Sequence, residues 1–326
     1  MKPTSENLSP LTLFYSDTFA FPLPDGHRFP LQKYSLLRQA IRQSDLNARV
    51  RMCSSPRASD EQLLRVHHPE YIDQVLSGTL APDALRRIGF PWSPELVERS
   101  RRSVGGTIAA CQAALETGLA MNLAGGTHHA HSCFGSGFCL FNDVAVAARE
   151  VQIHAGIRQI LIVDCDVHQG NGTADIFSGD PTVFTFSIHG ERNFPFRKSA
   201  SDLDIGLPDG IGDEAYLAEL HSAIDSIFER LCPDLVFYLA GADPFQDDTL
   251  GRMKLTKAGL SKRDELVLTA CRERGIPLAI TLSGGYARRI EDAVAIHFET
   301  VRLAVNALGR RPGDRGVEPQ GLSDKI

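Results

Sequence analysis

An apolar run that ends in acids and a histidine constrains this chain more than any other stretch. Ile160-Leu161-Ile162-Val163 passes directly into Asp164-Cys165-Asp166-Val167-His168, and Gln169-Gly170-Asn171-Gly172 follows. Four aliphatic residues between Ala155-Gly156 and a glycine-rich turn have the length and punctuation of a strand buried on both faces, the pattern of parallel sheets. Extended backbone sends alternate side chains to opposite sides, so Asp164, Asp166 and His168 leave together while Cys165 and Val167 leave the other way. Carboxylate oxygen and imidazole nitrogen are both zinc ligands, and open α/β sheets hold ligands just past the carboxyl ends of their strands. Capping carboxylates at a solvated strand end would give the same pattern, so by itself the stretch leaves both readings open.

The rest of the chain alternates strand and helix signals. Leu11 to Tyr15 has the spacing of a strand, and Lys33 to Gln43 that of a helix. Ser59-Asp60-Glu61-Gln62 and His68-Pro69-Glu70 each open a helix, and Ser93-Pro94-Glu95 begins a long one whose small residues run from Val104 through Leu119. From Asn142 the order becomes regular. A helix to Val151 leads into the strand at Ile160, followed by a strand over Val183 to His189, a helix over Ala215 to Leu231 and a strand over Asp234 to Leu239. Ser261 to Arg274 is then helical, Ile276 to Leu282 extended, and a last helix covers about Arg288 to Leu308. This predicts an α/β fold: a single domain over 1–310 with a mostly parallel central sheet flanked by helices on both faces. Residues 311–326, rich in Gly, Pro and charge, predict a frayed tail.

Composition narrows the function. A chain of 326 residues with formal charge −6 and its acids and bases mixed lacks a nucleic-acid footprint, and no nucleic-acid partner is expected. The 7 cysteines form no paired framework, which fits a reducing compartment. Met1 to Pro10 is polar and no later apolar stretch is long enough to span a bilayer, so the expectation is a soluble, cytoplasmic protein without a membrane partner.

Three further patches carry chemistry. The loop Ala124-Gly125-Gly126-Thr127-His128-His129 continues to Phe134-Gly135-Ser136-Gly137-Phe138-Cys139, where adjacent histidines suit acid and base roles or metal ligation. Gly241-Ala242-Asp243-Pro244 places a carboxylate after an apolar strand, and Ser283-Gly284-Gly285-Tyr286 places a phenol after a glycine turn. A turn-forming aspartate and a half-buried tyrosine are the plain readings of those two. Parallel strands share their carboxyl ends, so all of these groups can meet on one sheet edge with Asp166 and His168.

Taken in order, Gly-Gly-x-His-His, Asp-x-Asp-x-His-Gln-Gly-Asn-Gly, Gly-Ala-Asp-Pro and Gly-Gly-Tyr resemble the histone deacetylase family over roughly Pro24 to Leu308. Pro24-Asp25-Gly26-His27-Arg28-Phe29-Pro30 and the His-Gln-Gly-Asn-Gly stretch are similar to its class IV-type and bacterial branch. The resemblance implies an arginase/deacetylase-like fold and a zinc-dependent lysine deacylase. It assigns one catalytic zinc to Asp166, His168 and Asp243, the general base to His129, an electrostatic partner role to His128 with Asp164 behind it, and the carbonyl-polarising phenol to Tyr286. Gly137 and Phe138 match the wall of the acyl-lysine tunnel, and Phe194 the opposite wall. A structural potassium site would involve Asp164, Asp166, His168, Ser187 and Ile188.

Some positions depart from relatives. Asn171 stands where many carry an aspartate paired to the general-base histidine, so its contact with His129 supplies orientation rather than charge. Gln169 replaces a second histidine, and Cys139 lies close enough to the site to raise the question of redox sensitivity. The implied substrate is an acyl-lysine, acetyl or longer, in a protein or peptide; the alternative is a small acylated amine such as an acetylpolyamine. A catalytically silent acyl-lysine binder would not require the full acid/base set, and a two-manganese site of the ureohydrolase kind needs bridging carboxylates that the stretch after Gly241 does not offer.

Overall fold

A computed structural model describes residues 9–308, so the expected tail over 311–326 lies outside the described residues. In chain order the strands are β1 (Leu11–Tyr15), β2 (Val50–Ser54), β3 (Leu119–Asn122), β4 (Ile160–Asp164), β5 (Val183–Gly190), β6 (Leu203–Leu207), β7 (Leu235–Leu239) and β8 (Leu278–Thr281). They form one 8-stranded sheet in the order β2-β1-β3-β8-β7-β4-β5-β6, and every neighbouring pair is parallel. The helices are α1 (Gln32–Gln43), α2 (Asp60–Leu64), α3 (Pro69–Ser77), α4 (Pro82–Ile88), α5 (Pro94–Thr117), α6 (Asp143–His154), α7 (Asn171–Ile176), α8 (Asp213–Arg230), α9 (Lys257–Glu273) and α10 (Ile290–Leu308).

Two apolar layers sandwich the sheet, as a parallel sheet requires. Ile160, Ile162, Leu235 and Phe237 face one layer with α5 and α6, while Leu161, Val163, Val236 and Tyr238 face the other with α8, α9 and α10. The period of two carries past the end of β4, because Cys165 and Val167 belong to the second layer. The single α/β domain with helices on both faces therefore matches the expectation, and its sheet is parallel throughout.

Local signals explain several boundaries. Ser59 and Gln62 form a reciprocal capping box, and Ser93 accepts from the Leu96 amide with Pro94 in the first turn. The long helix does not run through Leu119. Gly118 adopts a left-handed backbone with φ 90° and accepts the turn that ends α5 at Thr117. Leu119-Ala120-Met121-Asn122 then fills the slot between β1 and β8, where tertiary pairing overrides the helical propensity of Leu, Ala and Met. The edge strands β2 and β6 escape sequence reading because their half-exposed patterns contain no continuous apolar run. Asn171, which has the look of turn punctuation, opens α7 instead.

Candidate active site

Strand order decides which loops meet. The run β3-β8-β7-β4 places four carboxyl ends side by side, bringing together the histidine loop, the Gly-Gly-Tyr turn, Asp243 and the Asp166/His168 stretch. Ligand atoms of Asp166, His168 and Asp243 all lie within 4.8 Å of one another, and all three side chains are buried. His168 Nδ1 is 2.9 Å from Asp166 Oδ1 and 3.3 Å from Asp243 Oδ2. One Nδ1 proton cannot serve both, and Asp243 Oδ2 has no hydrogen-bond partner. Burial and the adjacent Asp166 push the Asp243 carboxyl up to about 7, while burial of His168 is outweighed by the two carboxylates, which raise the imidazole to about 10. A cation answers all of these observations at once, and two carboxylates with one imidazole are a donor set that zinc accepts.

The histidine loop supplies the second group. His128 Nδ1 donates to Asp164 Oδ2 at 2.6 Å, and His129 Nδ1 donates to Asn171 Oδ1 at 2.8 Å, with the two rings 4.1 Å apart. Their environments drive them apart. Burial opposes charge on His128, but Asp164 and Asp166 prevail and raise it to about 9. Burial and the positive neighbours His128 and His168 hold His129 well below the ordinary histidine range. These opposite shifts favour the neutral imidazole at His129, with Nε2 as the nitrogen not used by Asn171, beside the charged form of His128.

A polar chain continues outward from His129. The Asn171 amide donates to His131 Nε2 at 3.0 Å, and His131 Nδ1 donates to Asp175 Oδ2 at 2.8 Å. With both imidazoles neutral, one arrangement of protons satisfies these contacts: both rings carry hydrogen on Nδ1, and the Asn171 oxygen faces His129. Asp175 lies at the surface with its side chain 56% exposed, so the chain links the buried centre to solvent.

The Gly-Gly-Tyr turn is held from three sides. Ser283 Oγ and the Gly284 amide donate to Asp166 Oδ2 at 2.7 and 2.8 Å, and the Tyr286 amide donates to Asp248 Oδ2 at 2.6 Å. Buried Lys33 donates from Nζ to the carbonyls of Ser283 and Gly285, each at 3.3 Å, and lies 5.5 Å from the Tyr286 ring centre. Gly284 is required for space: a Cβ there would collide with the carboxylates of Asp243 and Asp166. Lys33 and Asp248 were not among the sequence candidates. For Lys33 a signal existed, since it shares the i, i+4, i+8 stripe of Leu37 and Ile41 and so sits on the buried face of α1.

Gly137, Phe138 and Phe194 line the entrance above His129, His168 and Tyr286. Phe194 meets the His129 ring edge-on at 4.9 Å, and Phe138 lies 5.9 Å from Tyr286 with φ 65°, a rare backbone for a residue with a Cβ. From the cluster a cavity of about 80 Å³ continues inward among Phe21, Phe90, Leu96, Arg99 and Ser103. Ser187 pairs with Asp164 across the β4–β5 ladder, which puts Ser187 and Ile188 beside the carboxyl end of β4. Cys139 is buried with its thiol directed to the Gly137 carbonyl, and burial pushes the thiol up, which favours the unreactive protonated form.

A parallel sheet flanked by helices, with a histidine pair and a buried carboxylate–imidazole cluster that could hold a metal ion at its carboxyl edge, places the chain among α/β proteins that carry their site at the strand ends. The Histone deacetylase domain model matches residues 27–301. Over 284 residues the chain is 47% identical to an uncharacterized protein of Picosynechococcus sp., covering 87% of this chain and 94% of that one. It is 31% identical over 287 residues to the Histone deacetylase-like amidohydrolase of Pseudomonas aeruginosa, covering 82% and 74%. A crystal structure of an HDAC homolog from Aquifex aeolicus matches with TM-score 0.77 at 24% identity, covering 91% of this chain and 84% of that one. The chain belongs to the histone deacetylase family. It is a hydrolase of that deacetylase and amidohydrolase family, and none of its described helices is long and apolar enough to cross a membrane.

Proposed function

We propose that this enzyme hydrolyses the amide bond between an acyl group and the side-chain nitrogen of lysine in proteins or peptides, with one zinc ion held by Asp166, His168 and Asp243. The buried ligand triplet beside a histidine pair, one ring held by the Asp164 carboxylate and the other by the Asn171 amide, is the observation that carries this reading. A divalent ion at the triplet supplies Lewis-acid polarisation of the amide carbonyl and acidification of water. His129, neutral and oriented through Asn171, accepts the proton of the attacking water at Nε2. As the carbon–nitrogen bond breaks, the same Nε2 returns that proton to the lysine nitrogen, which leaves as the free amine with a carboxylic acid as the other product. His128, held by Asp164, keeps a positive charge next to the developing negative charge. Burial and the acids Asp166 and Asp243 keep the Tyr286 phenol protonated far above neutrality, so it donates to the carbonyl oxygen as charge grows there.

Phe138 and Phe194 serve as walls for the lysine stem, and the inner cavity among Phe21, Phe90 and Leu96 offers space for acetyl and longer acyl groups. Backbone at Asp164, Asp166, His168 and Ile188, with the Ser187 hydroxyl, is the proposed potassium site, since hard oxygen donors suit that ion. The test is turnover of acetyl-lysine and longer acyl-lysine peptides by the zinc-loaded protein beside its His129→Ala and Tyr286→Phe variants. Cleavage by the wild type alone supports the reading; equal rates in all three proteins reject it.

A further inference from the structure

The entrance to the site carries a charge that the catalytic reading does not use. Arg28, Arg86, Arg87, Arg192 and Arg252 all line it, and neither Asp nor Glu is among its lining residues. All five are exposed, and they come from four separate segments: the loop before α1, the end of α4, and the loops after β5 and β7. Arg86 pairs with exposed Asp83, and Arg252 lies 3.2 Å from Asp209. Arg87 lies over the Phe134 ring at 4.9 Å. Among the described residues, Arg28, Arg87 and Arg192 make no ion pair with a carboxylate. Three uncompensated guanidinium groups around one opening stand against a chain whose overall charge is −6.

Single exposed ion pairs contribute little, so no one arginine decides recognition. Their summed field does, because a mouth lined by one sign of charge concentrates ligands of the opposite sign and repels those of its own. Guanidinium also binds carboxylate in a planar, two-pronged fashion that fixes orientation as well as proximity. We propose that the entrance selects acyl-lysine flanked by aspartate or glutamate and rejects acylated polyamines, whose remaining ammonium groups would face the arginines. This rests on the deacylase reading above and adds the substrate class that the site accepts.

The experiment compares one acyl-lysine peptide core with acidic, neutral or basic flanks, together with N-acetylputrescine and N-acetylspermidine. Both kcat/KM and the Kd of fluorescently labelled peptides are measured with the zinc-loaded protein. At low ionic strength the acidic peptide should exceed the neutral one by about tenfold and the basic one should fall below it, with the spread shrinking in about 0.5 M salt. In the triple variant Arg28→Gln/Arg87→Gln/Arg192→Gln the acidic-to-neutral ratio should fall toward one, while Arg158→Gln, exposed near the opposite end of β4, should leave the ratio as it is. Melting curves of the variants check that they fold. Equal kcat/KM and Kd across the flanks, a ratio that survives the triple variant, or faster cleavage of the acetylpolyamines than of the neutral peptide overturns the proposal. Preferential binding of acidic peptides without any cleavage would leave the entrance assignment standing and reject lysine deacylation, so the two ideas fail separately.

Discussion

Replacing Asn171 by aspartate tests how His129, the proposed base, is tuned. Asn171 Oδ1 accepts from His129 Nδ1 at 2.8 Å, so the variant puts a carboxylate oxygen where the amide oxygen now sits. At an effective dielectric of about 20, unit charges about 4 Å apart interact by about 4 kcal/mol. Desolvation of the new carboxylate offsets part of that, which leaves the shift of about 1 to 3 units common for an imidazole beside an acid, each unit being about 1.4 kcal/mol. His129 starts well below the ordinary histidine range because of burial and the neighbouring His128. The aspartate raises it. Since only the neutral imidazole can accept a proton, the acid limb of the kcat/KM profile should move to higher pH by about 1 to 3 units. A second consequence follows at His131, whose Nε2 loses the Asn171 amide donor and faces an oxygen. Doubly protonated His131 could donate to both position 171 and Asp175, so its own titration should also move upward, which histidine NMR would record. The assay is kcat/KM against pH for both proteins, fully zinc-loaded, on one neutral acyl-lysine peptide. An acid limb at the wild-type pH would refute the claim that residue 171 sets the basicity of His129.

Three further outcomes test the surroundings. Gly284→Ala should lower zinc affinity by about 10- to 100-fold, because its Cβ would press on the Asp166 and Asp243 carboxylates; an unchanged Kd in a chelator-competition titration would show that the space is not required. Lys33→Met leaves the Ser283 and Gly285 carbonyls without their buried donor, so stability should fall by about 1–3 kcal/mol and kcat should fall more than KM rises, with wild-type denaturant midpoints and kcat arguing against this support of the Tyr286 turn. His67 Nδ1 donates to the His131 carbonyl and its Nε2 accepts from the Asn142 amide. Burial lowers His67 to about 4 in the fold, against about 6.5 in the unfolded chain. Between those values the unfolded chain binds the extra proton, so this group's contribution to stability is complete above about pH 6.5 and shrinks as pH falls, by about 1.4 kcal/mol per unit. His67→Gln should remove that part of the slope in urea titrations over this window; identical slopes would reject it.

Much of the site is legible in the chain because strand periodicity and motif order are local facts. The run Ile160 to Val163 predicts a strand buried on both faces, and β4 is buried throughout. The period of two separates Asp164, Asp166 and His168 from Cys165 and Val167, and the latter two do pack into the opposite layer. Edge strands and β3 resist such reading, since Leu119 to Asn122 has ordinary helix-forming residues and becomes a strand only because β1 and β8 leave a gap of that width. Lys33 shows the same limit within the site, where a lysine on an apolar stripe marks burial but not what it holds.

By itself the sequence determined the alternation of strands and helices, the polar groups at each strand end and the glycines that keep those ends uncrowded, because these follow from neighbours along the chain. Only the tertiary structure decided that β3, β8, β7 and β4 lie side by side, so that Asp243 joins Asp166 and His168. It likewise decided that Asn171 would connect His129 to His131 and Asp175, and that arginines from four distant segments would ring one entrance. Separation along the chain carries no information about such meetings, whereas pairing order and buried contact bring the groups close enough for charge and hydrogen bonds to act on one another.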